Sequence, residues 1–202
     1  MQVTLPDVEN RKSFRIGADA PLSDEEFFDF CMENSTLRIE RDAKGEITIM
    51  PPAGFETGYR NNDLARQLGN WAISDGRGVA LDSSTEYLLA NGAARSPDAS
   101  WVLKSRLESL TKQQKKRFVN FCPDFVVDFR SPSDRLPALK AKMEEWIENG
   151  AQLGWLIDAD LRTVCVYRPG RAAEEMQGIG HIVGEGPVDG FRLELEAIWE
   201  GV

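Results

Sequence analysis

The chain has 202 residues, 42% hydrophobic and 28% charged, enough to bury a substantial core in one α/β domain with a modest N-terminal extension, which excludes a disordered chain. Its longest apolar runs, such as FVVDF and GWLI, fall far short of the roughly 20 residues of a membrane helix, and the polar N-terminus lacks a signal-peptide pattern, so a cytoplasmic protein without membrane association is expected. The formal net charge of −9 opposes nonspecific nucleic-acid binding, and the single histidine, His181, excludes a His-rich zinc site and disfavours a Ser-His-Asp triad, so any metal must be held by oxygen ligands.

Residues to about Phe14 are polar and read as an arm. Ser23-Asp24-Glu25-Glu26 has the S-x-x-E form of a capping box, and FFDFCM behind it predicts a short helix closing near Asn34. TLRIERDAKGEITIM alternates with period two on both sides of a DAKG turn, which describes an antiparallel hairpin. Arm, helix and hairpin (1–50) are expected to form an extension that supports a core of residues 51–202 within one compact domain.

Between Phe55 and about Ser74, Leu64, Leu68, Trp71 and Ala72 fall at helical spacing, and Asp75-Gly76 with Gly78 supplies the stop. GVALD, TEYLLANG and ASWVL follow, short apolar pieces bounded by Gly, Pro or polar residues, and read as consecutive strands. The segment from Lys104 to Arg117 carries six basic residues against Glu108, a local balance of +5 that leaves −14 on the rest. It reads as a solvated amphipathic helix or as a phosphate contact.

In PDFVVDFRSPSD, alternation puts Asp124, Val126, Asp128 and Arg130 on one strand face and Phe125, Val127 and Phe129 on the other, so both faces must be largely covered. Ser133 or Asp134 can cap the helix LPALKAKMEEWIEN, whose buried stripe is Leu136, Leu139, Met143, Trp146 and Ile147 and whose stop is Asn149-Gly150. GWLIDAD and TVCVYRP are two more strands, and GFRLELEAIW ends the chain as a strand with a short helical end. The order marks an α/β fold, a mixed sheet with flanking helices. Cys31, Cys122 and Cys165, odd in number and far apart, read as small buried hydrophobes in a reducing compartment.

A carboxylate in mid-strand with apolar neighbours is costly to bury unpaired, so Asp128 within FVVDF needs a cation or a metal. Asp98, at the mouth of ASWVL, costs less, because Pro-Asp is also ordinary turn chemistry. Two adjacent strands that present these carboxylates toward one edge would supply the hard anionic oxygens that Mg2+ takes, and such an ion polarises a phosphate and activates a water. A salt bridge from Asp128 to Arg130 or Lys142 would satisfy the same residue, and periodicity does not choose between the two.

RSPDASWV, then PDFVVDFRSPSD, then LKAKMEEWIENGAQLGWLIDAD resemble the Uma-type group of the PD-(D/E)xK restriction-endonuclease-like superfamily in order, spacing and wording, from about Pro51 to the C-terminus. The resemblance implies a core of helix, three strands, helix and strand, with the first acid at Asp98, the second at Asp128 and a lysine near the second acid. The second acid is often Glu in these proteins, and Asp is one methylene shorter. The superfamily's lysine lies two residues after the second acid, where this chain has Arg130, which cannot act as a base yet can hold a phosphate. A lysine moved to the following helix is the implied substitute. Lys140 and Lys142 lie on opposite flanks of the buried stripe, and the family's K-M/x-x-x-Y/W pattern favours Lys142. Glu56 resembles the helix acid that many of these nucleases bring to the metal; a first-turn carboxylate favoured by the helix dipole is an equal reading.

The resemblance implies a Mg2+-dependent endonuclease, with Mn2+ as a substitute, acting on DNA. Asp98, Asp128 and Glu56 would hold the metal, Lys142 would position or activate the water, and Arg130 would contact the scissile phosphate. A second reading is a catalytically weak or inactive nuclease fold that binds nucleic acid or protein, in keeping with the acidic charge and the missing D-x-K lysine. Glycoside hydrolysis by the paired acids, with Trp101 and Trp155 as sugar platforms, is disfavoured because both tryptophans lie in apolar strands. Restriction-type enzymes often cut both strands as dimers, so a homodimer is a further expectation.

Overall fold

The computed structural model describes residues 14–16, 21–132 and 134–202; the arm expected ahead of Phe14 and the candidate cap Ser133 lie outside them. β1 (Phe14–Ile16) precedes α1 (Asp24–Glu33), which opens on a capping box. Ser23 Oγ accepts the Glu26 N–H at 3.3 Å, and Glu26 Oε2 accepts the Ser23 N–H at 2.8 Å. β2 (Arg38–Arg41) and β3 (Ile47–Met50) form the antiparallel hairpin, around a turn where Asp42 Oδ1 accepts the N–H groups of Lys44 and Glu46 and Gly45 takes φ 84°. α2 (Phe55–Asp75) stops where Gly76 turns left-handed.

The chain continues through β4 (Gly78–Asp82), β5 (Tyr87–Leu88), β6 (Ala94–Arg95), β7 (Ala99–Leu103), α3 (Lys104–Glu108), β8 (Phe125–Phe129), α4 (Leu136–Glu148) and β9 (Leu153–Asp158). β10 (Thr163–Tyr167), β11 (Glu174–Gln177), β12 (His181–Val183), β13 (Arg192–Glu194) and α5 (Glu196–Glu200) complete it. Six strands form a mixed sheet in the order β11-β10-β9-β8-β7-β4, where β8 and β9 run parallel because α4 carries the chain back between them. A smaller sheet has the order β1-β3-β2-β6-β5.

The large sheet is covered on both faces, as the apolar residues on both sides of β8 require. Phe125, Val127 and Phe129 pack with Leu64, Leu68 and Ala72 of α2 and Ile198 of α5. Val126, one step out of phase, packs with Met143 and Trp146 of α4. The result is an α/β fold, a mixed sheet flanked by helices and preceded by a helix and hairpin. No helix among the described residues is long and apolar enough to cross a membrane.

Four local expectations are revised. TEYLLANG does not join the large sheet: β5 and β6 pair with each other, and β6 pairs with β2, because Leu88 and Ala94 bury their apolar surface against Ile39, Ile47 and Ile49 of the hairpin. The basic segment is not one amphipathic helix. It breaks after α3 and resumes as a 3-10 turn at Gln114–Lys116, since Thr111 and Gln114 make a second reciprocal cap, with Gln114 Oε1 accepting the Thr111 N–H at 2.8 Å and Thr111 Oγ1 accepting the Gln114 N–H at 3.2 Å. Asp134 does not cap α4, which starts after Arg135 without a side-chain cap; its Oδ2 instead accepts the Ser131 N–H and hydroxyl at 2.8 and 2.7 Å. β11 and β12 were not expected, because the first is a largely exposed polar edge strand and the second a three-residue piece within glycines.

Gly78 is where sheet and core meet most closely. A Cβ there would fall 2.1 Å from the indole of Trp101, which is fully enclosed. Gly78→Ala should therefore cost about 1–3 kcal/mol in urea unfolding, whereas Gly69→Ala, in α2 with open space around it, should gain about 0.5–1 kcal/mol. Equal midpoints for the two variants would show that the Trp101 ring moves aside freely.

Candidate active site

β7 and β8 pair antiparallel with Ala99 opposite Val127, so Asp98, one residue ahead of β7, falls directly across from Asp128. The two acids are cross-linked through the backbone. The Asp98 N–H donates to Asp128 Oδ1 at 3.2 Å, and the Phe129 N–H donates to Asp98 Oδ2 at 2.8 Å. Asp128 shares the strand face of Val126 and so lies in the layer that α4 covers, where it is 3% exposed.

α4 brings Lys142 to this layer one residue before Met143. Its ammonium donates to Glu40 Oε1 at 3.0 Å and to the Ser96 carbonyl at 3.1 Å, and lies 3.5 Å from Asp128 Oδ2. Lys140, on the other flank, lies near Cys165 of β10. Glu40 is buried on β2 and also pairs with Arg95, which in turn bonds Glu145 at 2.6 Å. The Ser96 hydroxyl donates to buried Glu86 at 2.5 Å. Arg95, Glu40, Lys142 and Asp128 thus form one enclosed chain of alternating charge joining the hairpin to the large sheet.

These contacts set the protonation states. Burial pushes Asp128 up to about 6 despite the Lys142 cation beside it, with the charge of Asp98 adding to the rise. Burial opposes charge on Glu40 too, but Lys142 and Arg95 hold it below the ordinary carboxylate range. Burial and the neighbouring Glu40 charge push Glu86 up to about 8. Lys142, whose burial works against its charge, is held above the usual lysine range by Asp128 and Glu40.

Asp124, at the other end of β8's face, gives the contrast. It is as buried as Asp128, yet it accepts from Arg106 at 2.8 Å, from the Leu103 N–H at 2.9 Å and from Gln152 at 3.3 Å. Those partners satisfy it within the protein. Asp128 Oδ2 is buried and has no hydrogen-bond partner. Two further buried atoms without partners border Asp98: Oδ1 of Asn61, whose Nδ2 donates to Asp98 at 3.1 Å, and Nε of Arg38, whose Nη2 lies 3.6 Å from the same carboxylate.

The other expected residues lie apart from this group. Glu56, in the first turn of α2, is half-exposed and pairs with Arg60 at 2.9 Å, which bonds the Ile198 carbonyl of α5; the α2 residue that reaches Asp98 is Asn61. Arg130 is bonded to Asp158 at 2.6 Å. Trp101 and Trp155 are core residues. Among the described residues, no group of three or more His, Cys, Asp or Glu is gathered as a metal cage.

Arg38, Glu40, Asn61 and Arg95 were not anticipated from sequence. A faint signal existed in RIER, where alternation puts Arg38 and Glu40 on one face and Ile39 and Arg41 on the other. Reading it required knowing that the hairpin's polar face would be buried against the large sheet.

Two stability changes follow from the charge chain. Glu40→Ala strands the Arg95 and Lys142 charges on that side and should cost about 3–5 kcal/mol in chemical denaturation. Glu86 binds a proton in the folded chain up to about 8, above the 4.5 of an ordinary glutamate. Its contribution is therefore complete below about 4.5 and is lost as pH rises through about 8. Glu86→Gln should gain stability relative to the parent between pH 5 and pH 9, and a constant difference in urea midpoint across that range would refute the assignment.

The model of the family described as "Uma2: Putative restriction endonuclease" matches residues 24–196. A solved structure of a putative nuclease belonging to DUF820, from Anabaena variabilis ATCC 29413, superimposes with a TM-score of 0.71 at 18% identity, covering 89% of this chain and 98% of that one; at that identity the likeness speaks for the fold alone. No curated protein matches. With the family model spanning most of the sequence, the chain belongs to the Uma2 family of putative restriction endonucleases.

Proposed function

We propose that this protein is a divalent-metal-dependent endonuclease that hydrolyses phosphodiester bonds of DNA where Asp98 faces Asp128. One observation carries the reading: the buried Asp128 Oδ2 has no hydrogen-bond partner beside a second carboxylate, whereas the equally buried Asp124 is fully satisfied.

The residues present fit a hard cation. Asp98 and Asp128 offer carboxylate oxygens and Asn61 an unpartnered amide oxygen; Mg2+ commonly takes one or two carboxylates and keeps several waters, so no larger acidic cage is needed. Asp98 and Asp128 would hold Mg2+, or Mn2+ in its place. When bound, the ion supplies charge that polarises a phosphoryl oxygen and makes a water more acidic.

The chain's own residues divide the remaining work. Lys142 donates to Glu40 and the Ser96 carbonyl and lies 3.5 Å from Asp128 Oδ2, so it is held as an ammonium with no free lone pair. A group held in this way supplies positive charge and hydrogen bonds, and does not take a proton from water. Its part is to stabilise negative charge building on the phosphoryl oxygens. Glu40 and Ser96 keep it in place, and the Phe129 N–H holds one oxygen of Asp98 while the other accepts from Asn61 at 3.1 Å beside Arg38.

A catalytically silent fold remains the second reading, favoured by Arg130 at the superfamily's lysine position and by the net charge of −9. Incubation of supercoiled plasmid with the purified chain separates the two. The nuclease cuts in Mg2+ or Mn2+, stops with a chelator, loses its cutting in Asp98→Asn and Asp128→Asn, and slows about 10²–10³-fold in Lys142→Met. No cutting in either ion, together with Mn2+ binding that Asp128→Asn leaves unchanged, sinks the nuclease reading and leaves the silent fold.

A further inference from the structure

β2 sends successive side chains to opposite sides. Ile39 joins the hairpin core, and Arg41 bonds the Leu22 carbonyl and Asp24 on that same side. Arg38 and Glu40 face the acids, Arg38 toward Asp98 and Glu40 toward Lys142. We propose that Arg38 is the contact for a substrate phosphate, which makes the N-terminal hairpin part of the nucleic-acid-binding surface; this rests on the nuclease reading above.

The cations around the acids are distinguished by what they already hold. Lys142 is bound by Glu40 and Ser96, Arg95 by Glu40 and Glu145, and Arg130 by Asp158 at 2.6 Å. The Arg38 side chain makes no hydrogen bond among the described residues. Its Nε is buried without a partner, and the acceptor it approaches, Asp98 Oδ1, is 3.6 Å away, well beyond the roughly 2.7–2.9 Å of a charge-assisted bond. Its side chain is 36% exposed against 15% for Lys142 and 16% for Arg95. Arg130 is 30% exposed and also has a buried Nε without a partner, but its guanidinium is anchored on Asp158; Arg38 is the cation beside Asp98 that reaches solvent while making no side-chain hydrogen bond among the described residues.

The exchange on binding is favourable on general grounds. A half-exposed ion pair at 3.6 Å contributes little, so Arg38 gives up little on turning to another anion. A planar guanidinium matches two phosphate oxygens in a bidentate bond, stronger and more directional than the pair it replaces. The site also needs such a group. Two carboxylates on a chain of net charge −9 repel a polyanion, and a cation beside Asp98 offsets that field where the phosphate must arrive.

Binding of a short fluorescein-labelled DNA duplex, followed by anisotropy across a salt series with Ca2+ as the metal, tests the assignment on the full chain. Arg38→Ala should weaken binding about tenfold and lower the salt slope by about 0.9, the value of one phosphate contact. Arg38→Lys should restore the slope and part of the affinity, since it keeps the charge and loses the fork. Arg171→Ala, the same charge change in the turn after β10 at the opposite end of the sheet, should leave both unchanged. Mn2+ affinity in Arg38→Ala should hold or tighten; its loss would mean that Arg38 acts by placing Asp98, and the assignment falls. It falls as well if Arg38→Ala binds DNA like the parent or if Arg171→Ala weakens binding equally. A parent chain that binds no duplex in any metal overturns the nuclease reading along with it, whereas a parent that binds and cuts while Arg38→Ala binds normally overturns this assignment alone.

Discussion

Placing the Asp128 carboxylate in the middle of a six-stranded sheet, with α4 packed over it, imposes the constraint from which the rest of the site follows. An ionised carboxylate there loses its hydration and must recover it from the protein. The recovery is partial: one oxygen receives the Asp98 N–H and the other lies 3.5 Å from Lys142, so burial still holds the carboxyl above the ordinary range. Bringing Lys142 into the same enclosure creates a second burial cost, which Glu40 offsets; Glu40 then requires Arg95, and Arg95 requires Glu145. Each partner is recruited because the previous one cannot be left alone in a poorly solvated interior.

That recruitment joins the two sheets. Glu40 belongs to β2 and Lys142 to α4, 102 residues apart in the chain, and the strand pair β5 and β6 bridges them by adding to the hairpin's sheet while carrying Arg95 and Ser96 toward the acids. The hairpin is therefore no passive support. It forms one wall of the acidic group, and its alternation serves two masters, with isoleucines inward to its own core and charges outward to the site.

Asp124 and Asp128 are buried alike along one strand segment but differ in how their oxygens are matched. Both lie on the same face of the β8 segment and both are enclosed, but one is closed by Arg106, Gln152 and a backbone N–H while the other keeps an oxygen in reserve beside a second acid. That oxygen, Asn61 Oδ1 and Arg38 Nε lie unmatched beside the two acids, each at a cost, while Trp101, Trp146 and Tyr167 leave single polar atoms unmatched elsewhere in the core.

Much was settled by local order in the amino-acid sequence. Period two in FVVDF and ITIM, helical spacing in Leu64, Leu68 and Ala72, and stop signals at Gly76 and Gly150 specify strands and helices through short-range stereochemistry, and Asp128's isolation among apolar residues marks it as a charge needing an explanation. The pairing of Asp98 with Asp128 follows from register between neighbouring strands, which apolar patterning strongly constrains. Tertiary structure alone decided the partners. Whether α2 meets Asp98 through Glu56 or Asn61, whether Arg130 or Lys142 meets Asp128, and whether the polar face of RIER sees water or protein all depend on the packing of elements far apart in the chain. Charged side chains carry no periodic signal for such contacts, since the same residue on the same face is a solvated ion in one packing and an enclosed partner in another.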